Sequence, residues 1–155
     1  MTLIKINREA LLKPLQAVSG IIERRHTLPI LSNVLLIRAK DRISLVATDI
    51  EIEITASAIV ETQDEEKAVT VGARKLLDIL RALPEGSEVN LTPQDKRLQL
   101  KSGKSRYSLQ TLPSEDFPRL SVSEQRTAKL TLPQKLLKSM IALVQYAMAQ
   151  QDIRY

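Results

Sequence analysis

The sequence has no cysteine and no tryptophan, one histidine and four glycines. Without cysteine there is no disulfide and no thiolate metal site, a composition that fits a reducing cytoplasm. With His26 as the sole histidine, multi-histidine metal centres and two-histidine mechanisms are excluded. Aromatic residues are rare: Tyr107, Phe117, Tyr146 and Tyr155 are too scattered to form a platform on which single-stranded bases stack. No apolar run approaches the roughly 18 residues of a membrane span. The opening "MTLIKINREA" alternates and lacks the apolar segment of a signal peptide. A cytoplasmic protein without a membrane partner is expected.

Motifs for catalysis are also sparse. A Ser-His-Asp arrangement is formally available, but no G-x-S-x-G elbow occurs, and His26 reads better as a loop histidine. Gly103-Lys104-Ser105 resembles the end of a phosphate-binding loop, yet Leu98 stands where the first glycine belongs, and a strand pattern follows instead of a helix. "TDIEIE" offers three carboxylates that read as a solvated strand face rather than a metal site. No helix-turn-helix, zinc finger or basic zipper is visible, so any DNA contact should be to phosphates and independent of sequence. The residues imply no enzyme, cofactor or metal.

What is present is charge, unevenly placed. The chain carries 23 basic and 18 acidic residues, a net charge of +5. Residues 49–66 hold seven acids and no base, whereas 96–106 hold Lys96, Arg97, Lys101, Lys104 and Arg106 and no acid. A polarised molecule with an anionic partner follows from this split.

The periodicities predict strands at Leu3–Ile6, Asn33–Ala39, Ile43–Ala47, Asp49–Ile54, Ala68–Val71, Glu88–Thr92, Arg97–Lys101, Ser105–Leu109 and Lys129–Leu132. In Asp49–Ile54 strict alternation places Asp49, Glu51 and Glu53 on one face. Helices are expected after Asn7, a good cap, with apolar Ala10, Leu11, Leu12, Leu15 and Val18, then over Ala73–Leu83 and over Gln134–Met148. Lys40-Asp41-Arg42 and Pro84-Glu85-Gly86 read as turns, and Gly20 as a helix stop.

These elements repeat. "KINREALLK", "TVGARKLLD" and "TLPQKLLK" are one strand-cap-helix unit whose Leu-Leu pairs fall at 11/12, 76/77 and 136/137. Self-similarity at a fixed period implies copies of one supersecondary unit. Two copies, about 1–66 and 67–120, make a domain over 1–120. A linker-like stretch, 111–127, leads to a third copy, 128–155, that opens a domain and does not complete it. The helices' polar stripes are positive on balance, with Arg8, Lys13, Arg74, Lys75, Arg81, Lys135 and Lys138. Basic helices on one face and acidic sheets outside suit a body whose helical face meets a polyanion; ordinary solvated helix faces give the same pattern.

"LLKPLQAVSGIIERRHTLPILSNVLL", "SLVATDIEIEI", "ARKLLDILRALPEG", "SGKSRYSLQTLPSEDFPRL" and "MAQQDIRY", in this order and spacing, resemble the bacterial DNA polymerase III beta subunit, the sliding-clamp family. The resemblance runs nearly end to end. It implies an α+β DNA-clamp fold built from a duplicated helix-plus-antiparallel-sheet unit. It also implies a homodimeric ring of three-domain protomers around double-stranded DNA. Such a ring is a non-catalytic processivity factor that serves DNA polymerase and clamp-loader subunits.

Carried over by position, the resemblance makes Arg25 and Gln151 DNA-facing loop residues, with Arg74 a further DNA-facing candidate. It places Lys75, Lys104, Arg106, Tyr107 and Leu109 at the protomer interface, and Arg154 and Tyr155 at the border of the partner-binding groove. The family's ring needs three domains, so a chain ending at Tyr155 reads as an N-terminal fragment. Its stripe of Leu136, Leu137, Met140, Ile141 and Val144 is expected to require cover from elsewhere. The rival expectation is a stand-alone interaction or oligomerisation module that keeps the fold without encircling DNA.

Overall fold

The computed structural model describes residues 3–22, 28–60, 66–120 and 130–148. The chain divides into two units, Met1–Leu120 and Ser121–Tyr155.

The first unit begins with strand β1 (Ile4–Asn7) and helix α1 (Arg8–Ser19), followed by strands β2 (Asn33–Ala39), β3 (Arg42–Thr48) and β4 (Glu53–Ile59). The pattern then recurs as β5 (Lys67–Gly72), α2 (Ala73–Ala82), β6 (Glu88–Gln94), β7 (Arg97–Ser102) and β8 (Ser105–Gln110). All pairings are antiparallel, in two four-stranded sheets ordered β1-β6-β7-β8 and β4-β3-β2-β5. The repeats are therefore interlocked: each gives its first strand to the other's sheet. β1 pairs with β6 through Ile4–Leu91 and Ile6–Val89, and β5 pairs with β2 through Val34–Val71 and Leu36–Val69. Neither repeat completes its own sheet, so the two must fold together.

Both helices pack on the sheets and on each other. Leu11, Leu15 and Val18 of α1 and Leu76, Leu77 and Leu80 of α2 join Leu36, Leu45, Leu91 and Leu100 in one core. Asn7 caps α1 as its sequence predicts, its side chain accepting from the Glu9 N–H at 3.0 Å. Gly20 ends α1 in a right-handed helical conformation, so its stop signal is not a left-handed cap. Positive φ is used in the turns instead, at Lys40, Ile50, Asp95 and Gly103 in the four hairpin connections and at Gly86 after α2.

Two stretches differ from the periodicity. Asp49–Ile54 is not one strand, for β4 starts only at Glu53. Asp49 Oδ1 accepts the N–H groups of Glu51 at 3.0 Å and Ile52 at 2.7 Å. Thr48 Oγ1 accepts from the Ile50 N–H and donates to the Ile52 carbonyl. These local bonds satisfy the backbone in a turn and outcompete the ladder, and Ile50 is left at φ 84°. The three carboxylates consequently do not share one strand face. The second stretch is 111–127, of which 111–120 lies on the outer surface of β2 and β3. Phe117 packs with Leu35 and Val46 in a second cluster. Thr70 Oγ1 donates to the Leu112 carbonyl at 2.7 Å and accepts its N–H at 3.0 Å. Glu53 takes both Arg119 Nε and Nη2, at 3.0 and 3.1 Å, and the Leu120 N–H at 3.0 Å. The strap explains why "NVLLIRA" is apolar at nearly every position: β2 is covered on both faces.

In the second unit, helix α3 (Gln134–Gln145) ends three residues short of the expected Met148, and 130–133 is not a strand. Its stripe is exposed, from 46% at Leu136 and Leu137 to 66% at Val144.

Candidate nucleic-acid and subunit interface

The candidate DNA-facing surface is built on α1 and α2. Alternating helical faces bury Leu76, Leu77 and Leu80 and turn Arg74, Lys75 and Arg81 outward. Arg74 and Arg81 are two turns apart on one face, with Asp78 between them. Together with Ser19, Ile22 and Ser32 they line a cleft of about 310 Å³ between the two helices. Lys13 is exposed on α1. Positive side chains without base-reading geometry can hold phosphates without reading sequence.

Arg8 does not belong to this surface, against the expectation from its helical position. It is buried, with Nε donating to the Leu80 carbonyl and Nη2 to the Arg81 carbonyl. The reason is the interlocked repeat: the start of α1 abuts the end of α2, whose last carbonyls have no partner within the helix. Glu9 completes the seam, pairing with Arg8 Nη1 at 2.8 Å and accepting the Gly86 N–H at 3.1 Å. The Gly86 N–H, and after it the Arg8 guanidinium, hold the Glu9 carboxyl below the usual carboxylate range.

The candidate subunit surface lies along β8, the last strand of its sheet. Lys75, Arg106, Tyr107 and Leu109 line one open groove of about 490 Å³. Lys104 sits apart from them, exposed in the turn between β7 and β8. Leu109 is 6% exposed and joins the core, so the apolar surface here is chiefly Tyr107. Lys96 and Arg97 were not among the residues expected here. They line a neighbouring groove of about 850 Å³ with Arg74, Lys75 and Leu109. The signal for them was available in the acid-free run 96–106. Arg25, His26, Gln151, Arg154 and Tyr155 lie outside the described residues. Among the described residues, no group of three or more His, Cys, Asp or Glu is placed to hold a metal ion. No helix there is long and apolar enough to cross a membrane.

Known proteins are similar to this chain in sequence and in fold. The family described as DNA polymerase III beta subunit, N-terminal domain, matches residues 2–121. The beta sliding clamp of Pseudomonas putida is 45% identical over 152 residues, covering 97% of this chain and 41% of that protein. The beta sliding clamp of Escherichia coli K12 is 47% identical over 150 residues, with the same coverage. Among solved structures, the DNA polymerase III subunit beta of Pseudomonas aeruginosa superposes with a TM-score of 0.90 at 42% identity, over 100% of this chain and 42% of that one. Caulobacter crescentus pol III beta gives a TM-score of 0.89 at 37% identity, over 100% of this chain and 41% of that one. The chain thus spans about two fifths of the length of these relatives. Matched over residues 2–121 and in its fold, it belongs to the DNA polymerase III beta subunit family, through that family's N-terminal domain.

Proposed function

We propose that the chain is the N-terminal part of a sliding clamp, a non-catalytic ring that encircles duplex DNA and tethers a polymerase. The observation that carries this is its alignment, over 97% of its length, with proteins that are beta sliding clamps. The surface of α1 and α2 supports it, since Lys13, Arg74 and Arg81 stand exposed there and can meet phosphates. A closed ring is retained by topology, so it needs only weak phosphate contacts. Tight base contacts would stall sliding.

In this reading Arg25, Gln151 and Arg74 contact DNA. Lys75, Lys104, Arg106, Tyr107 and Leu109, joined by Lys96 and Arg97, meet an acidic edge of the other protomer. Arg154 and Tyr155 border the groove for polymerase and clamp-loader subunits, and the protein works in the cytoplasm. The test uses a protein in which this chain is followed by the remaining length of the ring, loaded on nicked circular DNA that is then linearised. A clamp slides off the ends. Retention on the linear DNA with steep salt dependence would mark an ordinary DNA binder instead. In the same assay, an Arg25→Ala, Gln151→Ala variant loads more weakly; unchanged loading would remove both loops from the DNA assignment.

A further inference from the structure

The strap crosses one sheet in the order of its strands, β5, β2, β3 and β4. Thr70 of β5 holds Leu112, Leu35 of β2 and Val46 of β3 receive Phe117, and Glu53 of β4 takes Arg119 and Leu120. Glu53 closes the crossing where the first unit ends. Its Oε2 accepts from Arg119 Nε at 3.0 Å and from the Leu120 N–H at 3.0 Å, and its Oε1 accepts from Arg119 Nη2 at 3.1 Å. Two oxygens thus take three donors, two of them from the fork of one guanidinium. An ion pair between two solvated side chains contributes little, but the Glu53 side chain is only 14% exposed and a backbone amide shares it. The turn before β4 puts this carboxylate in place. Uninterrupted alternation would set Glu53 on one face with Asp49 and Glu51. Instead Thr48 and Asp49 close the turn with their side chains, and β4 starts at Glu53, paired with Thr48. Asp49 spends its carboxylate on the turn, Glu51 is exposed, and Glu53 is left to meet the strap.

We propose that Glu53 is a positioning residue that fixes the point and the direction at which the chain leaves the first unit. The inference rests on the reading of the chain as part of a ring. Arg119 and Leu120 are the last residues of the unit, so what holds them sets the starting point of everything after them. With the fork made, both are tied to a strand of the main sheet. With it broken, the nearest fixed side chain falls back to Phe117. A ring closes only when every junction along it holds its angle, and each loosened junction adds conformations that closure must give up. Glu53 therefore stabilises the closed ring by preorganisation. Salt weakens this effect, because Arg119 is 49% exposed and its charge is partly screened.

The test uses Glu53→Gln, which keeps the shape and one acceptor but not the charge, with Arg119→Gln, Arg119→Lys and the double Gln variant. In the 155-residue chain, amide hydrogen exchange should quicken at Leu120 in Glu53→Gln. It should stay unchanged at Leu112, at the other end of the strap, and in β6 and β7, which report on folding. The second measurement uses the longer protein, in which this chain is followed by the remaining length of the ring. Its half-life on closed circular DNA should fall roughly threefold in each single Gln variant, the scale of one well-formed ion pair at a partly exposed site. The double variant should be no worse than either single one, since both break the same contact. Arg119→Lys keeps the charge and loses the fork, so it should fall between parent and Arg119→Gln. Rising salt should bring the parent towards the Gln variants. Unchanged half-lives beside a quickened Leu120 amide would overturn the positioning role. So would exchange that quickens equally at Leu112, which would make Glu53 a fastener of the whole strap. A parent that closed circles do not retain would overturn the ring reading and this role with it; a retained parent with unchanged variants overturns the role of Glu53 alone.

Discussion

Glu9 holds the seam between the two repeats through one carboxylate oxygen, shared by the Gly86 N–H and the Arg8 guanidinium. Its carboxyl titrates below the ordinary glutamate value of about 4.3. Its contribution to stability is therefore complete above that value and is lost as pH falls through the lowered one. Glu9→Gln should melt below the parent at neutral pH, and the gap should close as pH drops below about 4; thermal melts across pH read this. Ile50 tests a different kind of cost. A β-branched residue at φ 84° bears strain on the order of 1–2 kcal/mol. Glycine relieves it at an entropic cost of about 0.5–1 kcal/mol. Ile50→Gly should accordingly raise stability by up to about 1 kcal/mol in urea titration, whereas Ile52→Gly, with no positive φ to relieve, should lower it. The sequence shows the threonine and aspartate that make this turn, but period-two alternation of acids and isoleucines continues straight through it. The competing side-chain bonds decide the outcome, and they were legible only as residue types.

Among the elements, β2 carries the most information. "NVLLIRA" is apolar on both faces, and in a half-solvated antiparallel sheet one face should be polar. The outer face is closed by the strap 111–120, which has the proline and serine content of a linker and yet is pinned at Leu112, Phe117 and Leu120. Composition signals the lack of regular structure; it does not signal that one aromatic finds a site. Phe117→Ala should cost about 3 kcal/mol by loss of burial. Hydrogen exchange should then speed up at the Leu112 and Leu120 amides before it does in β6 and β7, because the strap can open without the main core. Uniform acceleration over both sheets would mean that the strap and the core unfold as one. The helices were read more fully. The spacing of Leu76, Leu77 and Leu80 fixes the buried face of α2 and, by exclusion, the exposed places of Arg74, Lys75 and Arg81. Arg8 escapes that logic because its partners are carbonyls at the end of a different helix.

At the scale of the molecule, duplication with exchange of first strands makes the first unit a single cooperative body. It leaves β4 and β8, which hold equivalent places in the two repeats, as last strands of their sheets among the described residues. The helices of this unit expose Lys13, Arg74, Lys75 and Arg81, so in the proposed reading DNA affinity is weak, indifferent to sequence and steeply dependent on salt. If Arg74 meets a phosphate, Arg74→Ala should lower the slope of log affinity against log salt by about one and weaken all sequences alike. Fluorescence anisotropy with two unrelated duplexes reads both effects. A loss confined to one sequence would contradict phosphate contact.

The sequence by itself determined the elements of the first unit apart from the start of β4, the repeat within that unit, the apolar faces of its helices and the separation of acidic from basic runs. Each of these follows from local spacing or composition, which tertiary contacts here reinforce. The tertiary structure alone decided that the repeats trade first strands, that Arg8 is internal and that a linker-like segment is a fixed strap. It also decided that Lys96 and Arg97 share a groove with Lys75. Those outcomes depend on which distant groups are left unsatisfied at a helix end or a sheet face. Pairings across 72 residues, as between Arg8 and Leu80, leave no period in a chain read one window at a time.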